Sequence, residues 1–202
     1  MSALEYSRWS PAGATSLVDL EGQYEDMLSA SDFFERFRND FCSDDYVLLD
    51  ALATSAVIRY GRCFGPGIRS RLRITQLSDL SAREQVLHEL LLATRNKHAA
   101  HPVNEQETHA VYVGHSESLG GERKVTSITS GTLVATAISM DLAEESNQLC
   151  LRWVDWLDQQ RELERQRLLP EAQRLTAAQL LALPRGPTDV SRDPHSVRVQ
   201  RK

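Results

Sequence analysis

Residues 81–102 read SAREQVLHELLLATRNKHAAHP, and this stretch decides the fold. Ser81 followed by Glu84 is a capping box, in which hydroxyl and carboxylate each satisfy an orphan amide where a helix begins. Leu87, Leu90, Leu91, Thr94 and His98 then recur on one face, which predicts a helix from Ala82 to about Ala100. Pro102 ends it, because a proline disfavours helical dihedrals in the residue before it. His101 therefore stands at the helix end and not inside it.

Upstream, Tyr46 to Cys63 reads as another helix, stopped by Phe64-Gly65-Pro66-Gly67. Before it, Leu17, Leu20, Tyr24, Met27, Phe34, Phe37 and Phe41 keep helical spacing, with a break at Ser29–Ser31. Downstream the period changes. Val111 and Val113 alternate with Tyr112 and Gly114, and Val125, Ile128, Leu133 and Val134 follow Gly120-Gly121. That pattern predicts a β-hairpin over about 108–138, with room for a third strand, inserted between helices. Helix resumes near Asp141 and runs through Trp153 and Trp156 toward Leu169, where Pro170 kinks or restarts it. Leu175 to Leu183 makes a last helical piece. The expectation is a mainly α chain, an antiparallel helical bundle with an inserted β-hairpin. Residues 1–16 form a flexible lead-in, 17–183 the helical domain and 184–202 a disordered tail.

At 202 residues, 41% hydrophobic and 25% charged, the chain has the size and composition of one globular domain. It contains no apolar run of the roughly 18–20 residues that a membrane span needs, and no basic start leads into an apolar segment. Cys42, Cys63 and Cys150 are odd in number and widely spaced, which suits a reducing, cytoplasmic setting. The six histidines form no HExxH and no finger spacing with cysteine. Phosphate-binding glycine loops and the GxSxG elbow are missing too, so neither a metal nor a cofactor is expected.

Charge is unevenly spread around a net of −5. Met1 to Asp50 holds eleven acids and three arginines, whereas Ala51 to Ser78 holds no acid and Arg59, Arg62, Arg69, Arg71 and Arg73. Five guanidiniums in fifteen residues repel one another unless an anion is near. The acidic first segment can supply it, and so can a phosphate ligand.

Arg95-Asn96-Lys97-His98-Ala99-Ala100-His101 concentrates chemistry at the helix end. Arg95 offers a permanent forked cation suited to phosphate, and Lys97 a second cation. His101 offers a base that titrates near neutral pH. Asn96 can orient a ligand or a neighbour. His98, on the stripe with Leu87, Leu91 and Thr94, reads as half-buried support or as a contact to substrate. Cations in a last turn also suit the helix dipole, so simple helix-ending chemistry explains the same residues.

RNKHAAH resembles the signature of HEPN domains: an arginine, a polar residue, and a histidine a few positions on. Five residues separate Arg95 from His101, and Asn96 fills the polar slot. Ile58-Arg59-Tyr60-Gly61-Arg62-Cys63-Phe64 closes the preceding helix, as in bacterial abortive-infection relatives of that family. The resemblance implies a helical bundle that forms a homodimer and brings two copies of the motif into one cleft. The implied activity is a metal-independent endoribonuclease, a toxin or phage-defence effector. His101 would take the ribose 2′-hydroxyl proton or donate to the leaving oxygen, Arg95 would stabilise phosphorane charge, and Asn96 would position the phosphate or the histidine. Lys97, His98, Arg59 and Arg62 would contact substrate. A second copy, RNA, and an antitoxin or nucleotide are the implied partners. Two alternatives stand beside this. One is a non-catalytic HEPN-like module that binds nucleotide, RNA or a partner protein. The other is a scaffold that dimerises through Trp153 and Trp156, its motif only capping a helix.

Overall fold

A computed structural model of the chain describes residues 7–11, 13–42, 44–67, 69–100, 107–117, 123–134 and 138–184. Helix α1 spans Thr15–Asp40, α2 Tyr46–Arg62 and α3 Ala82–Ala100. Strands β1 (Glu107–Glu117) and β2 (Arg123–Val134) follow, then α4 (Met140–Ala172) and α5 (Ala177–Ala182). The chain is mainly helical, with one small antiparallel sheet among the described residues.

Local chemistry explains the boundaries. The Asp45 carboxylate accepts from the Leu48 amide at 3.0 Å and opens α2. The Ser81–Glu84 capping box is made in both directions, at 3.2 and 2.8 Å, and opens α3. The Ser139 hydroxyl caps α4, and Thr176 with Gln179 caps α5.

Two expectations change. The interruption at Ser29–Ser31 does not occur, and α1 is continuous for 26 residues. Ser31 is buried, and its hydroxyl donates to Asn147 Oδ1 across the bundle at 2.5 Å. A serine partnered in that way does not compete with its own helix backbone. Helix α4 contains Pro170 and ends two residues past it. The hydrogen bond that proline forfeits lies in an exposed last turn, where water can serve the carbonyl.

Contacts fix the directions of the helices. Glu21 meets Arg161, Ser31 meets Asn147, and Arg38 meets Glu144, so α1 and α4 run antiparallel. Asp26 meets Arg59, and the Cys63 Sγ lies 3.7 Å from the Gln23 carbonyl, so α2 runs back along α1. Between them sit Met27, Phe34, Phe37, Val57, Tyr60, Leu87, Leu91, Leu149 and Leu157, all buried. Trp153 joins this core at 0% exposure, packed edge-on against Phe64 and Trp156. Burial inside its own chain removes Trp153, though not the partly buried Trp156, from any dimer surface.

The hairpin pairs Glu107 with Val134 through Glu117 with Arg123, and a bulge interrupts the register between Gly114 and His115. The third strand is not found among the described residues. Residues near the start are tied to the end of the domain: Arg8 N–H donates to the Pro184 carbonyl at 2.7 Å, and Arg167 to the Gly13 carbonyl at 2.8 Å. The expected tail from 185 on lies outside the described residues. No helix among those described is long and apolar enough to cross a membrane.

Candidate functional site

The site is built where α2 stops. Gly65 N–H donates to the Gly61 carbonyl at 3.0 Å, and the chain turns through Pro66 and Gly67. It then returns antiparallel to itself, with Leu72 N–H on the Cys63 carbonyl at 2.9 Å. Two α1 side chains pin the returning segment. Asp19 accepts from the Ser70 amide at 2.9 Å, and Gln23 donates to the Ser70 carbonyl at 2.5 Å. Arg69 is thereby held against α1.

Asp26, only 2% exposed, is the electrostatic centre. Arg59 reaches one carboxylate oxygen at 2.8 Å, and Arg69 reaches the other at 2.9 Å. Arg62 stands 3.5 Å from that second oxygen. The side chains of these arginines keep 41%, 32% and 45% of their surface, so one buried anion gathers three cations that still face solvent.

Two helical glycines make the room. A Cβ on Gly22 would lie 2.5 Å from Arg69 Nη1, and one on Gly61 would lie 2.7 Å from Arg95 Cγ. A glycine inside a helix costs about 1 kcal/mol against alanine, so these two positions trade helix stability for close approach by arginine. Arg95 lies along α2 over Gly61 and passes Gly65, where its Nη2 would be 3.6 Å from an added Cβ. Its guanidinium donates to Asn96 Oδ1 at 3.0 Å.

An open pocket of about 370 Å³ results, lined by Arg62, Gly65, Pro66, Gly67, Arg69 and Arg95. Three guanidiniums around one concavity favour an oxyanion, since each fork presents paired donors to oxygen. Cys63 is buried beside the cluster. Burial, followed by the charge of Asp26, pushes its thiol up to about 12, so it stays protonated and is not a nucleophile near neutral pH.

The structure places Arg95 and Arg62 in the same pocket. Arg59 sits on Asp26, away from the lining. Asn96 is exposed and bonded to Arg95. Lys97 and His98 belong to the last turn of α3, but their side chains lie outside the described residues, as does His101. Arg69 is a site residue that the motif does not indicate. Its signal was the acid-free run that contains it.

A second opening, of about 450 Å³, lies between the Ile74–Gln76 turn and α3, with His88 in its wall. His88 Nδ1 and the Tyr60 hydroxyl are 2.8 Å apart. Burial lowers the affinity of His88 for a proton and strongly raises that of Tyr60, so the tyrosine donates to a neutral imidazole. That pair ties α3 to α2. Among the described residues, no three His, Cys, Asp or Glu side chains gather as metal ligands. Compared with protein-family models, with curated proteins and with solved structures, the chain matches none.

Proposed function

We propose that this protein is a metal-independent endoribonuclease of HEPN type, with the arginine pocket at the end of α2 as its phosphate site. One observation carries the reading. Arg95, the first residue of the motif, lines a concavity together with Arg62 and Arg69. A helix end that held its cations only for the dipole would have no need of Gly61 beneath one of them.

In this reading the scissile RNA phosphodiester is held by the guanidinium fork of Arg95. His101 takes the proton from the ribose 2′-hydroxyl, whose oxygen attacks phosphorus. The bond to the 5′-oxygen breaks, and that oxygen leaves with a proton from an acid, the histidine of a second copy in a shared cleft. The products are a 2′,3′-cyclic phosphate and a 5′-hydroxyl. Arg95 stabilises the charge on the pentacoordinate phosphorus, and Asn96 fixes the orientation of that arginine. A homodimer follows from the need for two histidines, and a toxin or defence role from the resemblance.

The test is cleavage of total RNA by the purified chain in EDTA, beside His101→Ala and Arg95→Ala. Cutting by the parent protein, lost in both folded variants, is the expected result. Absence of cutting from a folded dimer would replace the nuclease with a binding module for nucleotide, RNA or a partner protein. A monomer at micromolar concentration in light scattering would remove the shared cleft.

A further inference from the structure

The lining of the pocket is cationic, with three guanidiniums and no carboxylate among its residues. Arg59, Arg62, Arg69 and Arg95 meet at this corner. Among the described residues, the salt bridges of the first three all end on Asp26, while Arg95 is bonded to a neutral amide. Asp19, about two turns before Asp26 on the same face of α1, is the other buried carboxylate here and accepts from Ser70. Neither carboxylate is among the lining residues, so the three guanidiniums that face the opening, those of Arg62, Arg69 and Arg95, suit a ligand with more than one negative charge. A phosphodiester brings one negative charge, whereas a phosphate monoester brings about two near neutral pH.

Shape points the same way. The Gly65-Pro66-Gly67 turn puts no side chain larger than a pyrrolidine ring into the opening, so a group can approach the backbone closely. At about 370 Å³ the space holds a phosphate and the sugar attached to it, within the usual range of roughly 300–1,000 Å³ for ligand sites. Asp26 sets two of the lining arginines, Arg62 and Arg69, before any ligand arrives, which lowers the ordering cost of binding.

We infer that this pocket binds a terminal phosphate monoester, the end of an RNA strand or a free mononucleotide, with Arg62 and Arg69 as its anchors. Arg95 then stands between that terminal phosphate and the helix end that leads to His101. The monoester chemistry rests on the pocket; its assignment to RNA ends rests on the ribonuclease reading.

Isothermal titration of the full chain tests it. The probes are a 2′-O-methyl hexanucleotide, inert to 2′-hydroxyl cleavage, phosphorylated at the 5′ end, at the 3′ end or at neither, and 5′-AMP. One phosphorylated hexamer should bind about tenfold more tightly than the unphosphorylated one, a single charge-assisted contact's worth of affinity. Arg69→Gln and Arg62→Gln should bring that ratio near one, while Arg83→Gln, at a distant exposed pair with Glu145, leaves it unchanged. If Arg69→Gln does not fold, Arg62→Gln carries the test, since its side chain is 45% exposed. Equal binding of 5′-AMP and the phosphorylated hexamer assigns the site to mononucleotides; weaker binding of 5′-AMP assigns it to RNA ends. Equal affinity for all three hexamers overturns the inference. Cleavage in EDTA that persists without end preference sinks this inference alone, and end preference without cleavage sinks the nuclease alone.

Discussion

Two sides of α1 use arginine in opposite ways. Where α1 meets α4, Arg161 and Arg165 face three carboxylates, those of Glu21, Asp158 and Glu162. Arg161 places both arms on Glu21 at 2.8 Å and its plane 3.8 Å over the Tyr24 ring. Where α1 meets α2, three arginines share Asp26. Acid in excess makes a closed cross-link between helices. Cation in excess leaves guanidinium surface facing solvent, free to meet an anion. The ratio of charges, more than their number, separates the closed joint from the open cluster.

The contrast can be broken most severely at Asp26. Asp26→Ala should lower stability by about 3 kcal/mol in urea unfolding, because it strands three arginines together beside a buried hollow. Those side chains can swing toward water, which keeps the loss at the lower end for a broken buried pair. Arg161→Met on the other side should cost only about 1–2 kcal/mol, since methionine keeps much of the packing and Glu21 can rehydrate. It should leave RNA binding untouched. The smallest effect on stability, and the sharpest on function, belongs to Gly61→Ala. A gain of up to about 1 kcal/mol in helix propensity is set against a displaced Arg95 stem, so unfolding should stay within about 1 kcal/mol of the parent. Cleavage or phosphate-end binding should nevertheless fall about tenfold, roughly the effect of losing one charged contact. A Gly61→Ala protein with full activity would mean that Arg95 does not work from where it lies.

Much of the fold was legible because its signals are local. Ser81 with Glu84, the Gly65-Pro66-Gly67 stop and the change of period at Thr108 each act within a few residues, and each marks a boundary found in the structure. The reading went astray at Ser29–Ser31 because the partner that settles Ser31 is Asn147, 116 positions away. The site divides in the same manner. Arg95 and Asn96 stood out as a motif, and the acid-free run from Ala51 to Ser78 announced a need for an anion. That Asp26 among eleven acids supplies it, or that Gly22 and Gly61 lie beneath Arg69 and Arg95, depends on how helices face one another. No pattern along the chain encodes that directly.

The hairpin has a consequence for crowded solutions. A sheet of two strands is all edge: each strand leaves one row of amides and carbonyls for another strand to join. Val111, Val113, Val125 and Ile128 are exposed on it, which would make a flat ribbon sticky. The bulge at Gly114/His115 coils the ribbon, and Arg123 with Lys124 charges one end of it. Together they oppose the in-register stacking from which filaments grow.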